Sequence, residues 1–276
     1  MFAITNITWA CGRGGNFEEG DNMVRPLDGA RATKQWLNKT FRSDQGFWKF
    51  QLKDETRFWE DWFATEGDAW QEDFRRRQDP DLELQDNVRR WIDAPEGSVV
   101  EILDVGAGPL TVLGKRWGNR VIRITAVDAL ADRYDQILRA SSITPLVRTQ
   151  LCQTENLLER FEPDYFDFVH ALNTLDHHYD PLRALGQMIS VVKPGKCIYF
   201  KHRTDEAERA GHSGLHQWNF SLEDGKAFLW NEHQHTNIAD EFAAWATLEY
   251  AEFEEPDWLG VALRKTRSGS GSDRAK

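Results

Sequence analysis

"EILDVGAGPLT", residues 101 to 111, is a hydrophobic run that reaches Asp104 and turns through Gly106 and Gly108, with a helix expected to start near Pro109. Small residues at such a turn let a ligand approach the backbone, and a helix N-terminus there would offer its unsatisfied N–H groups. A GxG turn alone is weak evidence. Its support is "ITAVDALADRYDQIL", where Asp128 falls 20 residues after Gly108 at the end of the next strand-like run. A carboxylate in that place can accept two hydrogen bonds from ribose hydroxyls, which is how a doubly wound sheet holds an adenosine.

The same alternation continues in both directions. "VVEILDV" (99 to 105), "VIRITAV" (121 to 127), "LVRTQL" (146 to 151), "YFDFVHAL" (165 to 172) and "KCIYFK" (196 to 201) are short β-branched or aromatic runs separated by helix-like spans. Such spacing predicts βαβ units and an α/β fold with a doubly wound, Rossmann-like, mainly parallel sheet of seven strands. "WATLEYAEFEE" and "WLGVALRKT" read as two closing strands, and Asp224-Gly225 between two strand-like runs reads as a β-hairpin.

Upstream, "FWKFQLKDETRFWEDWFATEGDAWQEDF" has a helical period: Phe58, Trp59, Trp62 and Phe63 share a stripe that Trp70 and Phe74 repeat. These aromatics can pack against the next domain or line an acceptor pocket as flat apolar walls. "DAPEGS" (93 to 98) marks the boundary. The expected division is an N-terminal arm and aromatic-rich helical cap over 1–94, an α/β domain over 95–267 with a β-hairpin insert at about 206–236, and a flexible tail over 268–276. Residues 1 to about 40, Gly-rich and weakly patterned, read as an arm or a lid.

With 45 acidic against 34 basic residues and a net charge of -11, phosphate backbones would be repelled, so no nucleic-acid partner is expected. Arg75-Arg76-Arg77 and Arg89-Arg90 read as solvated helix faces. Cys11, Cys152 and Cys197 form no CxxC pair, which fits a reducing compartment. The N-terminus lacks a basic leader, and no run approaches the roughly 20 apolar residues of a membrane span, so a cytoplasmic protein without a membrane partner is expected.

Two cofactors fit the Asp104–Asp128 geometry, NAD and S-adenosylmethionine. A dinucleotide fingerprint wants a third glycine where Thr111 stands, and Asp104 would repel a pyrophosphate but suits a cationic methionine moiety. The balance favours S-adenosylmethionine. "LDVGAGPLT", "AVDALA", "YFDFVHALNTLDHHYDPLRAL" and "VVKPGKCIYFKH" together resemble the class I S-adenosylmethionine-dependent methyltransferases over roughly residues 95 to 205, with the closing strands extending to 266. That resemblance implies that Asp104, Gly106, Ala107 and Gly108 hold the methionine part, Asp128 the ribose, and Ala129 and Leu130 the adenine face. It also implies that Gln153, Thr154 or Glu155 reaches the adenine edge, with Gln153 standing where the family often has Asp. Asn173, at the fourth-strand exit, is expected to face the cofactor.

Methyl transfer is an in-line displacement that depends on alignment, and a hydroxyl acceptor must also lose a proton. All eight histidines lie at or after position 170. His170 sits inside a strand and reads as a satisfied core group. Asp176 and His177 follow the fourth strand, His202 ends the fifth, and Glu206, His212 and His216 lie in the insert, so the topology delivers them to one mouth. Three readings compete. One is a metal site, without HxH or HExxH spacing to support it, and no metal is expected. Another is a general base oriented by Asp176 or Glu206, with His177, His202, His216 and Asp176 as the catalytic candidates. The third is a polar loop in which Asp180-Pro181 opens the next helix as N-cap and N1, and it is the reading for His178, His233 and His235. "LDHxYDP" with "GLHQWNF" also resembles a recurring subset of bacterial methyltransferases.

The chain thus reads as a methyltransferase acting on a hydroxyl of a small, sugar-like or secondary-metabolite acceptor. The rivals are an N-methyltransferase for a small amine or peptide, an NAD-dependent oxidoreductase, and a non-catalytic scaffold.

Overall fold

A computed structural model describes residues 45–267. The N-terminal arm and the tail expected from the sequence lie outside the described residues, as does Cys11.

Strands β1 (Val99–Val105), β2 (Val121–Asp128), β3 (Gln150–Leu151), β4 (Phe166–Leu172), β5 (Val192–Arg203), β9 (Ala246–Glu255) and β10 (Trp258–Lys265) form a seven-stranded sheet in the order β3-β2-β1-β4-β5-β10-β9. The first five are parallel, and β10 runs antiparallel to both β5 and β9. The central strands are buried on both faces, as their unbroken apolar runs require. Side-chain alternation sends Leu103 and Val105 of β1 to one face with α5 (Pro181–Val191), and Val100 and Ile102 to the other with α3 (Asp86–Arg89) and Leu84. Asp180 caps α5, its Oδ1 accepting the Arg183 N–H at 3.0 Å with Pro181 in the first turn.

The Asp224-Gly225 hairpin forms β6 (Asn219–Glu223) and β7 (Lys226–Asn231), and β8 (Gln234–Asn237) adds a third strand. Phe220, Ala227 and Leu229 of this small sheet join the α5 side of the core. On the far side, α1 (Gln45–Ala64) and α2 (Gln71–Arg77) pack Trp59, Trp62, Phe63 and Phe74 against Tyr134, Ile137 and Leu138 of α4 (Ala131–Ala140). No helix among the described residues is long and apolar enough to cross a membrane.

Two sequence expectations are corrected. No helix starts near Pro109: residues 107–120 are irregular, and long-range partners satisfy their backbone. Arg77 donates to the Leu110 carbonyl at 3.0 Å, Gln85 to that of Val112 at 2.7 Å, and the N–H groups of Lys115 and Arg116 reach the Leu82 carbonyl. Thr111 turns its hydroxyl inward to Asp104 rather than continuing a helical turn. "LVRTQL" yields only the two residues of β3, because it lies at the sheet edge, where Gln150 and Leu151 alone pair with β2 while Leu146 stands exposed.

Candidate active site

At the carboxyl ends of β1, β2 and β4 lies a pocket of about 1120 Å³, counted to its open mouth, roofed by α1. Asp104, Gly106, Ala107, Gly108, Asp128, Ala129, Leu130, Gln153, Thr154, Glu155 and Asn173 all lie on its wall. The two glycines are there for space. Gly106 has φ +60° and a Cβ would sit 2.1 Å from Thr174 Oγ1; Gly108 has φ +64° and a Cβ would sit 2.9 Å from the Trp59 ring.

Two of the acids are preset by their neighbours. Asp128 accepts the Leu130 N–H at 2.8 Å and the Gly108 N–H at 3.2 Å, so it fixes the turn it faces. Burial nevertheless pushes its carboxyl up to about 6, the two backbone donors only partly opposing that rise. Asp104 has both oxygens engaged, by the Thr111 hydroxyl at 2.5 Å and by His170 Nδ1 at 2.7 Å across the β1–β4 register. His170 is thus the satisfied core histidine read from the sequence.

His178 lies in the loop where the sequence reading put it, but it is not idle there. It is buried, with Nδ1 2.9 Å from the Thr174 carbonyl and Nε2 2.6 Å from Thr154 Oγ1. A carbonyl can only accept, so Nδ1 donates and Nε2 takes the threonine proton. The ring thereby braces the exits of β3 and β4 against each other. Beside it, Glu155 keeps Oε2 buried with no hydrogen-bond partner among the described residues. Asn173 holds φ +47° and accepts the Arg203 N–H on its Oδ1 at 3.0 Å, tying the β4 exit to the end of β5.

Asp176 gathers the other three catalytic candidates. It is 0% exposed, with Oδ1 2.8 Å from His202 Nε2 and Oδ2 2.6 Å from His216 Nδ1. His177 Nε2 lies 3.2 Å from His216 Nδ1 and 3.7 Å from Asp176 Oδ2. Burial works against the Asp176 charge, but the imidazoles of His177, His202 and His216 outweigh it and hold the carboxyl well below its usual range. Burial drives His177 down to about 3, so that ring is neutral at physiological pH. His177 and His216 line the pocket; His202, 0% exposed against Phe220, and Asp176 stand behind its wall. Neither His233 nor His235 lines it: His233 stands in a turn as read, whereas His235 is not a loop residue but part of β8, opposite Trp230, with its ring 3.0 Å from Glu223 on the surface. One ligand atom each from Asp176, His177 and His216 lies within 4.8 Å of the others, a spacing that a metal ion could also span.

The cap divides its aromatics between the two roles read from the sequence. Trp62, Phe63 and Phe74 are core, Trp48, Phe58 and Trp70 line the pocket, and Trp59 does both. Trp48 Nε1 donates to the His177 carbonyl at 2.6 Å, which pins α1 over the β4 exit. Glu55 was missed. It lines the pocket, accepts Trp59 Nε1 at 2.9 Å, and places Oε2 4.0 Å from His177 Nδ1. Its signal was visible: Trp48, Leu52, Glu55 and Trp59 fall at i, i+4, i+7 and i+11, so an acid interrupts an otherwise apolar face.

A family model described as a methyltransferase domain matches residues 74–246. Among solved structures, one similar chain is a putative methyltransferase of Haloferax volcanii in complex with the Trm112 methyltransferase activator. It is 15% identical with a TM-score of 0.49, the match covering 76% of this chain and 98% of that one. Another is an S-adenosylmethionine-dependent methyltransferase from Mesorhizobium loti, 15% identical with a TM-score of 0.41, covering 62% and 94%. No curated protein gives a significant match.

Proposed function

The chain belongs to the methyltransferase-domain family, and from that premise we propose that it methylates a hydroxyl of a small, sugar-like or secondary-metabolite acceptor, with His216 as general base. The observation that carries the base is the 2.6 Å contact of His216 Nδ1 with buried Asp176 on the pocket wall. An ionised carboxylate at Nδ1 keeps the proton there and puts the basic lone pair on Nε2.

The cofactor of this enzyme class is S-adenosylmethionine, and the residues present fit it. Gly106 and Gly108 put bare backbone on the pocket wall, the space a Cβ would take being held already by Thr174 and Trp59, and the buried Glu155 Oε2 on the same wall, without a hydrogen bond among the described residues, is an acceptor suited to an exocyclic amine. Gly106, Ala107 and Gly108 would hold the methionine part, Asp128 the ribose, and Ala129, Leu130, Gln153, Thr154 and Glu155 the adenine. When bound, the cofactor supplies an electrophilic methyl carbon. The chain's part is to align the acceptor, exclude water beneath the Trp48 and Trp59 roof, and receive the hydroxyl proton at His216 Nε2. Asp176 and His202 act only through His216, as positioning residues.

His216→Ala is expected to lower kcat by about 10² to 10⁴, the usual worth of a positioned base. Its affinity for S-adenosylhomocysteine should stay within about threefold of wild type, since the mutated ring is not among the cofactor contacts. Unchanged turnover would remove the base assignment. Activity lost to a chelator and restored by a divalent cation would instead give the three converging ligand atoms to a metal.

Asp128 supplies a test of the cofactor side. Only its ionised form accepts two ribose hydroxyls, so binding favours the carboxylate and weakens as pH falls through its raised value of about 6. S-adenosylhomocysteine affinity measured by calorimetry should therefore be nearly flat above pH ~7 and drop about tenfold by pH ~5. Asp128→Asn should bind weakly at every pH, with no such slope. A wild-type profile flat across this window would take Asp128 out of the binding site.

A further inference from the structure

Among the pocket-lining acids, three are already accounted for. Asp104 and Asp128 have their oxygens engaged, and Glu155 lies by the β3 exit assigned to the adenine. Two are not, and they come from different elements. Glu55 comes from α1, and Glu206 from α6 (Glu206–Arg209), in the segment that follows β5. Glu206 is 3% exposed, and its Oε2 has no hydrogen-bond partner among the described residues. Its nearest cation, Arg203 Nε at 3.8 Å, already donates to Asp257 at 2.9 Å. Both share the pocket wall with His216, Glu55 Oε2 lying 4.0 Å from His177 Nδ1, and burial raises the carboxyls of both.

A buried carboxylate oxygen without a hydrogen bond is costly, and a ligand that brings a donor and the opposite charge relieves that cost. Among the described residues the only guanidinium on the pocket wall, Arg77, is tied to Asp73 at 2.7 Å and to the Leu110 carbonyl. Trp48 and Phe58 add aromatic faces, which attract cations, and the net charge of -11 favours the approach of a positive molecule.

We infer that the acceptor is itself a cation, an amino alcohol or amino sugar whose protonated amine sits between Glu55 and Glu206 while a neighbouring hydroxyl faces His216. This rests on the acceptor reading above and narrows it. The ammonium has no lone pair, so it anchors the molecule and the hydroxyl remains the group that is methylated.

Matched probes test it by calorimetry on the full chain loaded with S-adenosylhomocysteine: tyramine against its alcohol analogue tyrosol, and glucosamine against glucose. At neutral pH at least one amine should bind about tenfold or more tightly than its neutral twin. Glu206→Gln should shrink that preference to about threefold or less while still binding S-adenosylhomocysteine, which shows that the variant is folded. Equal binding within both pairs, no binding of either amine at about 10 mM, or a preference that survives in both Glu206→Gln and Glu55→Gln would overturn the inference. The parent reading fails separately. A product methylated on nitrogen, or a fully active His216→Ala, would remove the hydroxyl or the base assignment and leave the charge preference standing. Loss of that preference with His216→Ala still inactive would remove the amine alone.

Discussion

Gly106→Ala is expected to abolish measurable S-adenosylhomocysteine binding, an affinity loss of about 100-fold or more, and to destabilise the protein by about 2 to 5 kcal/mol. Two independent terms act at this one residue. At φ +60° any L side chain is strained, by roughly 1 to 2 kcal/mol. The added methyl would also meet Thr174 at Oγ1, Cγ2 and Cβ, at 2.1, 2.5 and 2.6 Å, and forcing such a contact costs about 1 to 3 kcal/mol more. Relief would come only by moving the β4 exit or the β1 turn, and both are pocket wall. For a domain of this size the melting temperature should fall by about 5 to 15 °C. Gly97→Ala separates the terms, because Gly97 has φ +74° but nothing within 4 Å of a Cβ. It should lose only the strain energy and keep wild-type affinity. Should Gly106→Ala bind S-adenosylhomocysteine as tightly as wild type, the β1 turn is not where the cofactor lies.

The parts of this fold that could be read from the sequence are those whose causes are local. β1 and β2 announce themselves by apolar runs that end in a glycine or an acid, β4 by its aromatic and β-branched run, and Asp224-Gly225 and Asp180-Pro181 carry their turn and cap chemistry in two residues each. What could not be read depends on partners far along the chain. The helix expected at Pro109 is absent because Arg77, Leu82 and Gln85 satisfy that backbone from 27 or more residues away. His178 reads as a bystander beside His177 until Thr154, 24 residues upstream, is found under its ring. The histidine cluster was legible as a gathering but not as an order. Topology brings His177, His202 and His216 to one end of the sheet, yet only packing shows that Asp176 lies at their centre and that His202 stands behind the wall.

That order makes Asp176→Asn the most informative change at the proposed base. The substitution keeps the shape and removes the charge, so its effect comes through the neighbouring rings. In the wild type Oδ2 can only accept, which requires His216 Nδ1 to donate across 2.6 Å and leaves Nε2 basic. Asparagine has one acceptor and one donating amide. With its oxygen toward His202, its NH₂ faces His216 Nδ1, which then must accept, and the proton moves to Nε2, where a base cannot hold it. With the amide flipped, His202 Nε2 meets the donor instead and the site loses the carboxylate that faces the three imidazoles. Either arrangement removes the base, so kcat should fall by about 10² to 10⁴, as in His216→Ala. The double variant should be little slower than either single one, because both changes disable one unit. S-adenosylhomocysteine affinity should hold within about threefold, since Asp176 stands behind the wall rather than on it. Additive losses in the double variant would show that Asp176 acts by some route other than His216.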